Sequence, residues 1–206
     1  LLAHGFGGTK NSVRAEAEHV TAQEYVLPYG AKLGELRKLI ELTPNSDAEN
    51  LQLFRLTVKE RQRQLLQTSL KTLETAVLTA RSGTTDEARL RADEAALMLQ
   101  WVERARNLEP LGQVVIAQNQ NRGELLLENG DIIRIPVKNG LVLVHGEVLF
   151  PNAVAFDTRY SINDYIKPPG GYTQNADTSR IVIAHRDGSF DEVGDGGEIL
   201  AGDDIL

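Results

Sequence analysis

The amino-acid sequence predicts an α+β fold built from two small modules in tandem, the first of which carries an inserted long antiparallel helical hairpin. Two observations lead to this prediction. Short stretches of alternating apolar residues recur in the same order in both halves of the 206-residue chain. Within the first half, apolar residues also recur at helical spacing over roughly fifty residues.

The internal repeat emerges when the chain is compared with itself. The stretch 13–18 lies beside 142–147 at a separation of 129 residues, and 50–55 is placed beside 181–186 at a separation of 131. Further on, a second Gly-Asp pair follows the first by only 72 residues. This fall in separation predicts an insertion of about 59 residues after Arg55 in the first copy.

The second copy shows the order of elements most clearly. Alternating residues 141–144 predict a strand, and a second strand follows at 153–156. Ser161 is the expected N-cap of a short helix. A strand at 180–184 and the Asp187-Gly188 turn then predict a β-hairpin. Two strands, a helix and further strands describe a small α+β unit.

The insertion predicts two helices, which together occupy residues 56–110. Leu66, Leu70, Leu73, Val77 and Ala80 recur at spacings of four, three, four and three residues. A second apolar series has the same spacing and consists of Ala88, Ala92, Ala95, Leu99 and Val102. Such helices pack along a shared seam. The residues between them, Gly83 and Thr84, suit a C-terminal and an N-terminal helix cap.

Composition and charge argue against several classes of function. The formal net charge of −7 disfavours a nucleic-acid partner, because such a protein needs a basic face. The absence of cysteine excludes disulfides and thiolate chemistry. The four histidines show no i, i+4 metal pairing and no nucleophile motif accompanies them. We therefore expect no metal, no cofactor and no catalytic residue.

Several motifs of the second copy carry a resemblance to a known family. They are residues 144–148, 161–166 and 170–173, preceded by the Gly-Asp stretch 125–136. These motifs resemble the soluble-ligand-binding β-grasp (SLBB) domain of bacterial outer-membrane polysaccharide (capsule) export proteins. The resemblance is close over residues 113–206, and the helical insert is similar to a feature of one subgroup of capsule export proteins. Pro168-Pro169 departs from the family pattern, which usually has a small residue there.

The resemblance implies a division of the chain and a place in the cell. It implies a flexible segment 1–11, a first β-grasp module 12–136 with its insert at 56–110, and a C-terminally truncated second module 137–206. The chain is expected to be the periplasmic part of an outer-membrane protein, which at full length forms a homo-oligomeric ring around a polysaccharide export channel. Its expected partner is an inner-membrane polysaccharide copolymerase. The alternative is a soluble module that captures a glycan or another small molecule.

The candidate ligand-binding residues are Gly146, Glu147, Gly170, Gly171 and Tyr172. Glycine exposes backbone donors, and tyrosine can stack on the face of a pyranose ring. The alternative is a turn in which the glycines adopt positive φ and the tyrosine packs on the sheet. Glycines that follow a helix favour the turn.

The candidate partner interface consists of Leu97, Trp101 and Leu108 in the second helix of the insert. These side chains are expected either in the core against the β module or in an exposed patch for a neighbouring subunit. Helical spacing alone favours the core. His185, next to Arg186, is expected to be a surface residue at the end of a strand.

Overall fold

The computed structural model describes residues 10–17, 20–79, 85–116, 121–192 and 198–206. Most of the expected flexible segment, Ala80 of the first apolar series and the expected caps at Gly83 and Thr84 lie outside these ranges. The first strand begins at Lys10, inside that expected segment.

The elements of the first half are β1 (Lys10–Ala17), β2 (Val20–Pro28), α1 (Leu33–Leu39), β3 (Gln52–Phe54), α2 (Leu56–Thr79), α3 (Thr85–Arg106), β4 (Gln113–Val114), a short 3-10 helix (Arg122–Glu124) and β5 (Ile132–Ile135). Those of the second half are β6 (Leu141–Val144), β7 (Asn152–Ala155), α4 (Ile162–Ile166), β8 (Val182–Ala184), β9 (Phe190–Glu192) and β10 (Asp204–Ile205).

Two five-stranded mixed sheets confirm the predicted α+β fold and its repeated order of elements. The first sheet has the order β2-β1-β5-β3-β4, and the second has the order β7-β6-β10-β8-β9. In each sheet a hairpin pairs antiparallel, and its first strand also pairs in parallel with the last strand of the module. The second sheet is therefore the first one repeated strand for strand, while the assignment to the β-grasp fold stays a prediction.

The two cores are built from equivalent positions. Val13 and Val142 are fully buried, as are Leu36 and Tyr165 on the helices above the sheets. One part of the predicted alignment is wrong by one residue, because the fully buried Leu53 corresponds to the fully buried Ile183 and not to Ala184. Side chains alternate between the two faces of a strand, so a slip of one residue would place the wrong face in the core.

The short helix of the second module begins where the sequence predicts. Ser161 is the N-cap of α4, and its backbone N–H donates to Asp164 Oδ2 at 2.9 Å. The buried Tyr165 then projects from this helix into the core, and its hydroxyl donates to the backbone carbonyl of Asp157 at 3.0 Å.

A buried aspartate marks the turn before the last strand of each module. Asp131 and Asp203 are 1% and 2% exposed. The carboxylate of Asp131 accepts the N–H of Glu128 at 2.8 Å, and that of Asp203 accepts the N–H of Leu200 at 2.7 Å. Hydrogen bonding to backbone donors is what makes the burial of a polar side chain tolerable.

The predicted helical hairpin is confirmed as α2 and α3, which pack on each other through a small apolar seam. Only residues 80–84 link the two helices, so helices of this length run antiparallel. Leu70 and Val102 are buried in the seam. Ala88 and Ala92 were expected in the seam but are exposed, because the buried part of the seam lies further along α3, at Val102 and Ala105. The chain divides into two compact units, and residues 54–113 with this hairpin form one of them.

Arg186 connects the two sheet modules, which together form the other compact unit. Its guanidinium donates to the carbonyl of Val137 at 2.7 Å and to that of Gly202 at 3.3 Å. Nη1 also lies 3.6 Å from Asp47 Oδ2, and Gln52 donates to the backbone carbonyl of Arg186 at 2.7 Å. A residue of the second module thus contacts both the start of its own module at Val137 and the first module.

His185 is not the surface residue that the sequence suggested, since its side chain is only 12% exposed. Nδ1 lies 2.8 Å from Asp203 Oδ2, and Nε2 lies 3.2 Å from Asp191 Oδ2. Burial lowers the pKa of the imidazole, but the two aspartates outweigh it and raise the pKa above the ordinary value of 6.5. Burial raises the pKa of the Asp203 carboxyl in turn.

Among the residues that the structure describes, no helix combines the length and the apolar character needed to cross a bilayer.

We predict that Asp131→Ala lowers the free energy of unfolding by about 1–3 kcal/mol, because the Glu128 N–H loses its acceptor inside the protein. Asp203→Ala should cost more, since His185 also loses a partner. Urea denaturation at a constant m value measures both effects. Asp93→Ala, at an exposed position of α3, is the control and should stay within about 0.5 kcal/mol of the wild type. Equal effects of all three substitutions would contradict the role of the buried aspartates.

We also predict that stability falls as the pH rises through the raised pKa of His185. A group whose pKa is higher in the folded state contributes its full stabilisation below the unfolded pKa and loses it above the folded pKa. The free energy of unfolding, measured by urea titration from about pH 5.5 to about pH 8, should therefore decline less in His185→Asn than in the wild type. Asp191→Asn removes one partner and should give an intermediate slope. An unchanged slope in His185→Asn would refute this account.

Candidate functional site

Three of the five candidate ligand-binding residues lie in one cleft of the second module. Gly146, Glu147 and Tyr172 line this cleft, which has a volume of about 330 Å³. Gly170 and Gly171 do not line it. We refer to it as the Tyr172 cleft. The floor of the cleft is apolar and consists of Val144, Val148, Ile166, Ile181 and Ile205.

The rim of the Tyr172 cleft is held by pairing between two loop segments. Val148 and Tyr172 form an isolated antiparallel bridge. The backbone N–H of Thr173 donates to the carbonyl of Glu147 at 2.9 Å, and the Thr173 hydroxyl hydrogen-bonds to the Glu147 carboxylate. Tyr172 is half-buried and packs against the core of the module. Backbone pairing between the two segments therefore fixes the position of the tyrosine.

The two glycines before Tyr172 form the predicted turn. Their φ angles are +88° at Gly170 and +85° at Gly171, a region that side chains other than glycine rarely adopt. A Cβ at Gly170 would also lie 3.1 Å from the Phe150 ring. The N–H of Gly171 donates to the carbonyl of Ile166 at 3.1 Å, which closes the end of α4. The turn interpretation is confirmed for the glycines.

Charged residues that the sequence reasoning did not single out complete the rim. Asp177 and Arg180 line the Tyr172 cleft, with Arg180 Nε 3.7 Å from Asp177 Oδ2. The hydroxyl of Ser179 donates to the Asp177 carboxylate at 2.5 Å and lowers its pKa. Their proximity to Tyr172 results from the return of β8 to the sheet, which residue spacing does not reveal.

The chemistry of the Tyr172 cleft suits binding better than catalysis. An apolar floor with one half-buried aromatic ring and a polar rim is typical of sites that hold a small uncharged or amphipathic molecule. The carboxylate of Glu147 is already engaged with the Thr173 hydroxyl. Within the described part of the chain, no group of three His, Asp or Glu side chains is arranged to hold a metal ion.

The candidate partner residues in the hairpin are exposed. The exposed fractions of Leu97, Trp101 and Leu108 are 67%, 53% and 63%. None of the three belongs to the apolar seam of the hairpin itself. Helical spacing identified a second apolar stripe on α3 but could not show whether another part of the chain covers it.

No protein-family model matches the chain. Individual proteins, however, are similar to it over most of its length. Two curated proteins of Escherichia coli, both named polysialic acid transport protein KpsD, are 39% identical to it over 194 residues. The aligned region covers 94% of this chain and 35% of each relative. The chain thus spans about a third of the length of the curated relatives that it matches, and both relatives are named as transport proteins.

The identity extends over almost the whole chain. It therefore includes both sheet modules and the helical hairpin that is inserted between β3 and β4. It agrees with the resemblance that the motifs of the second module carry. The chain is a homologue of part of the polysialic acid transport protein KpsD.

Proposed function

We propose that this chain is a scaffold segment of an assembly that exports a capsular polysaccharide across the bacterial cell envelope. The observation that carries the proposal is the 39% identity to the transport protein KpsD over 94% of the chain. We place the segment in the periplasmic part of an outer-membrane protein, where it forms part of a homo-oligomeric ring wall. The inner-membrane polysaccharide copolymerase is the second partner in this proposal.

The internal structure of the sheet unit supports a scaffolding role. Each module has its own apolar core, and Arg186 of the second module joins it to the first through Asp47, 3.6 Å away, and the hydrogen bond from Gln52. The two modules accordingly fall in one compact unit. The hairpin adds an exposed apolar surface, formed by Leu97, Trp101 and Leu108, of the kind that marks protein contacts.

The role of the hairpin surface can be tested in a host from which the parent gene has been deleted. We predict that the full-length gene restores polysaccharide at the cell surface, whereas a Leu97→Ser, Trp101→Ser, Leu108→Ser variant restores roughly tenfold less or worse. Buried aromatic and aliphatic anchors supply most of the energy of a protein contact, which is why the loss should be large. Surface and periplasmic polysaccharide are measured separately, and polymer should accumulate in the periplasm.

The control for this experiment is an Asp93→Ser, Gln100→Ser variant, which changes exposed polar residues of the same helix. It should restore surface polymer to the wild-type level. A second variant replaces residues 56–110 by Asn-Gly, because the Arg55 N–H donates to the Gly112 carbonyl at 2.9 Å and the cut ends are adjacent. Full export by this excised protein would refute a role for the hairpin, and normal export by the deletion host would refute the proposed function.

The alternative function is capture of a glycan or a small molecule in the Tyr172 cleft. The convergence of Gly146, Glu147 and Tyr172 on one apolar-floored cleft favours it. In this case the modules act as receptors for the transported polymer rather than as a wall.

We predict that, under this alternative, capsular oligosaccharide quenches or shifts the tyrosine fluorescence of the protein saturably. Tyr172→Ala should then weaken the affinity by roughly tenfold, since aromatic stacking contributes about 1 kcal/mol or more. Tyr29→Ala is the control, because Tyr29 is 78% exposed and lies outside the cleft. Isothermal titration calorimetry checks the affinities, and the absence of any saturable signal would leave the scaffold role alone.

A further inference from the structure

One row of side chains crosses the outer face of the second sheet, on the side away from its core. The register pairs Ala153 with Leu143, Leu143 with Asp204, Asp204 with Ala184, and Ala184 with Phe190. Residues paired in register lie on the same face of a sheet. All five strands therefore contribute to this row, and Asp204 is its one charged member.

This outer face is apolar and open. Leu143 is 43% exposed and Phe190 is 68% exposed, and Leu141 and Ala155 extend the apolar surface by a second pair of positions. The solvent side of an antiparallel or mixed sheet is ordinarily polar. We call this surface the outer apolar face and define it by Leu141, Leu143, Ala153, Ala155, Ala184 and Phe190.

The first sheet provides an internal comparison, because it has the same topology with different outer side chains. Arg14 and Glu24 are paired across its strands at the positions that Leu143 and Ala153 occupy in the second sheet. Glu16 accepts ion pairs from Arg14 at 3.0 Å and from Arg134 at 3.3 Å on the same face. The fold itself therefore does not require leucine and alanine at these places.

The α3 helix presents a second unpartnered apolar surface. Leu90, Leu97 and Trp101 fall within an arc of about 40° at 3.6 residues per turn, and all three are more than half exposed. Leu108 adjoins them in the turn that ends the helix. Arg104 borders this stripe, and it makes no ion pair with any residue that the structure describes. We call Leu90, Leu97 and Trp101 the α3 stripe.

We propose that the outer apolar face of the second sheet is the docking site for the α3 stripe of a second copy of this protein. The inference rests on the proposed function, in which the protein acts as an assembled homo-oligomer, and it names the surfaces that meet. A helix that packs across a sheet is one of the few stable ways to bury an open sheet face.

The two surfaces match in length. The α3 stripe covers about 16 Å from Leu90 to Trp101 at a rise of 1.5 Å per residue. The row from Ala153 to Phe190 crosses four strand spacings, or about 19 Å. Ala153 is small and leaves a depression beside Leu143, and Ala184 leaves another between Asp204 and Phe190, so the large side chains of the stripe have room to enter.

Charge selects this pairing over a contact between two sheet faces. If two outer apolar faces packed on each other, the interface would bury Asp204 of both copies. Burying two negative charges away from water in one interface is unfavourable. Arg104 beside the α3 stripe instead offers Asp204 a positive partner in addition to the His145 imidazole, whose Nε2 lies 3.7 Å from Asp204 Oδ2. A contact between two different surfaces of identical copies is heterologous, and it generates a ring when its rotation closes.

The absence of cysteine from this chain makes the contact testable by disulfide trapping. Two differently tagged full-length copies, with any cysteine outside this chain replaced by serine, are co-expressed in the deletion host. One copy carries Leu97→Cys, and the other carries Leu143→Cys. The control replaces the second copy by Arg14→Cys, which lies at the same place in the first sheet. After mild oxidation, we expect mixed disulfide dimers for 97 with 143 at roughly tenfold or more above the control.

Equal yields for the two combinations, or no mixed dimer in cells that display polysaccharide, would overturn the docking site while leaving the proposed function standing. Trapping of Leu97→Cys on a different protein instead would also overturn it. Conversely, selective dimers in a host whose polysaccharide export does not depend on the gene would support the contact and refute the proposed function.

A charge exchange keeps the test independent of the folding of any one cysteine variant. Arg104→Glu in the copy with Leu97→Cys should reduce the yield of mixed dimer several-fold, because Asp204 then meets a like charge. Asp204→Lys in the other copy should restore the yield. A reduction that Asp204→Lys does not reverse would argue against the proposed pairing.

Discussion

One buried carboxylate in each module, Asp131 or Asp203, fixes the strand on which the sheet depends. The last strand of each module lies between two strands that are distant in sequence, so no hairpin sets its register. The carboxylate instead ties down the turn that precedes the strand, by accepting the N–H three residues back. A slip of one residue would turn Ile133 or Ile205 out of the core. The apolar core thus depends on a polar group, which is tolerated because its hydrogen bonds are satisfied.

The same turn has a second role in the second module only. Gly202 has a φ of +96°, and a Cβ there would lie 2.0 Å from Arg186 Nε. Gly130, its counterpart, has a φ of +85° but open space around it. Glycine at position 202 therefore satisfies the turn and also admits the arginine that joins the modules. Both modules need this Gly-Asp turn for folding. In the second module, the turn also makes room for Arg186, which joins the two modules.

Local sequence patterns predicted most of the helices and strands, but they could not predict which residues distant in sequence contact each other. Alternation at 141–144 and helical spacing at 66–77 report on the chain's own geometry, and both predictions are confirmed. The burial of His185 depends on Asp203 and Asp191, which come close only when β8, β9 and β10 pair. Likewise, spacing showed that Leu97 belongs to an apolar stripe but contained no information about what covers it. In the Tyr172 cleft, three of the lining residues were candidates from the family motifs, whereas the rim residues Asp177 and Arg180 were not among the candidates.

The duplication separates what the fold requires from what function requires. Core positions stay apolar in both copies, as Val13 with Val142 and Leu36 with Tyr165 show, because each sheet must bury one face. The outer faces are free of that constraint, and they differ: Arg14 and Glu24 in one copy correspond to Leu143 and Ala153 in the other. Exposed leucines add nothing to the core that they face away from, and they favour association in water. A surface that is apolar in one of two equivalent modules is therefore best explained by a partner that meets only that module.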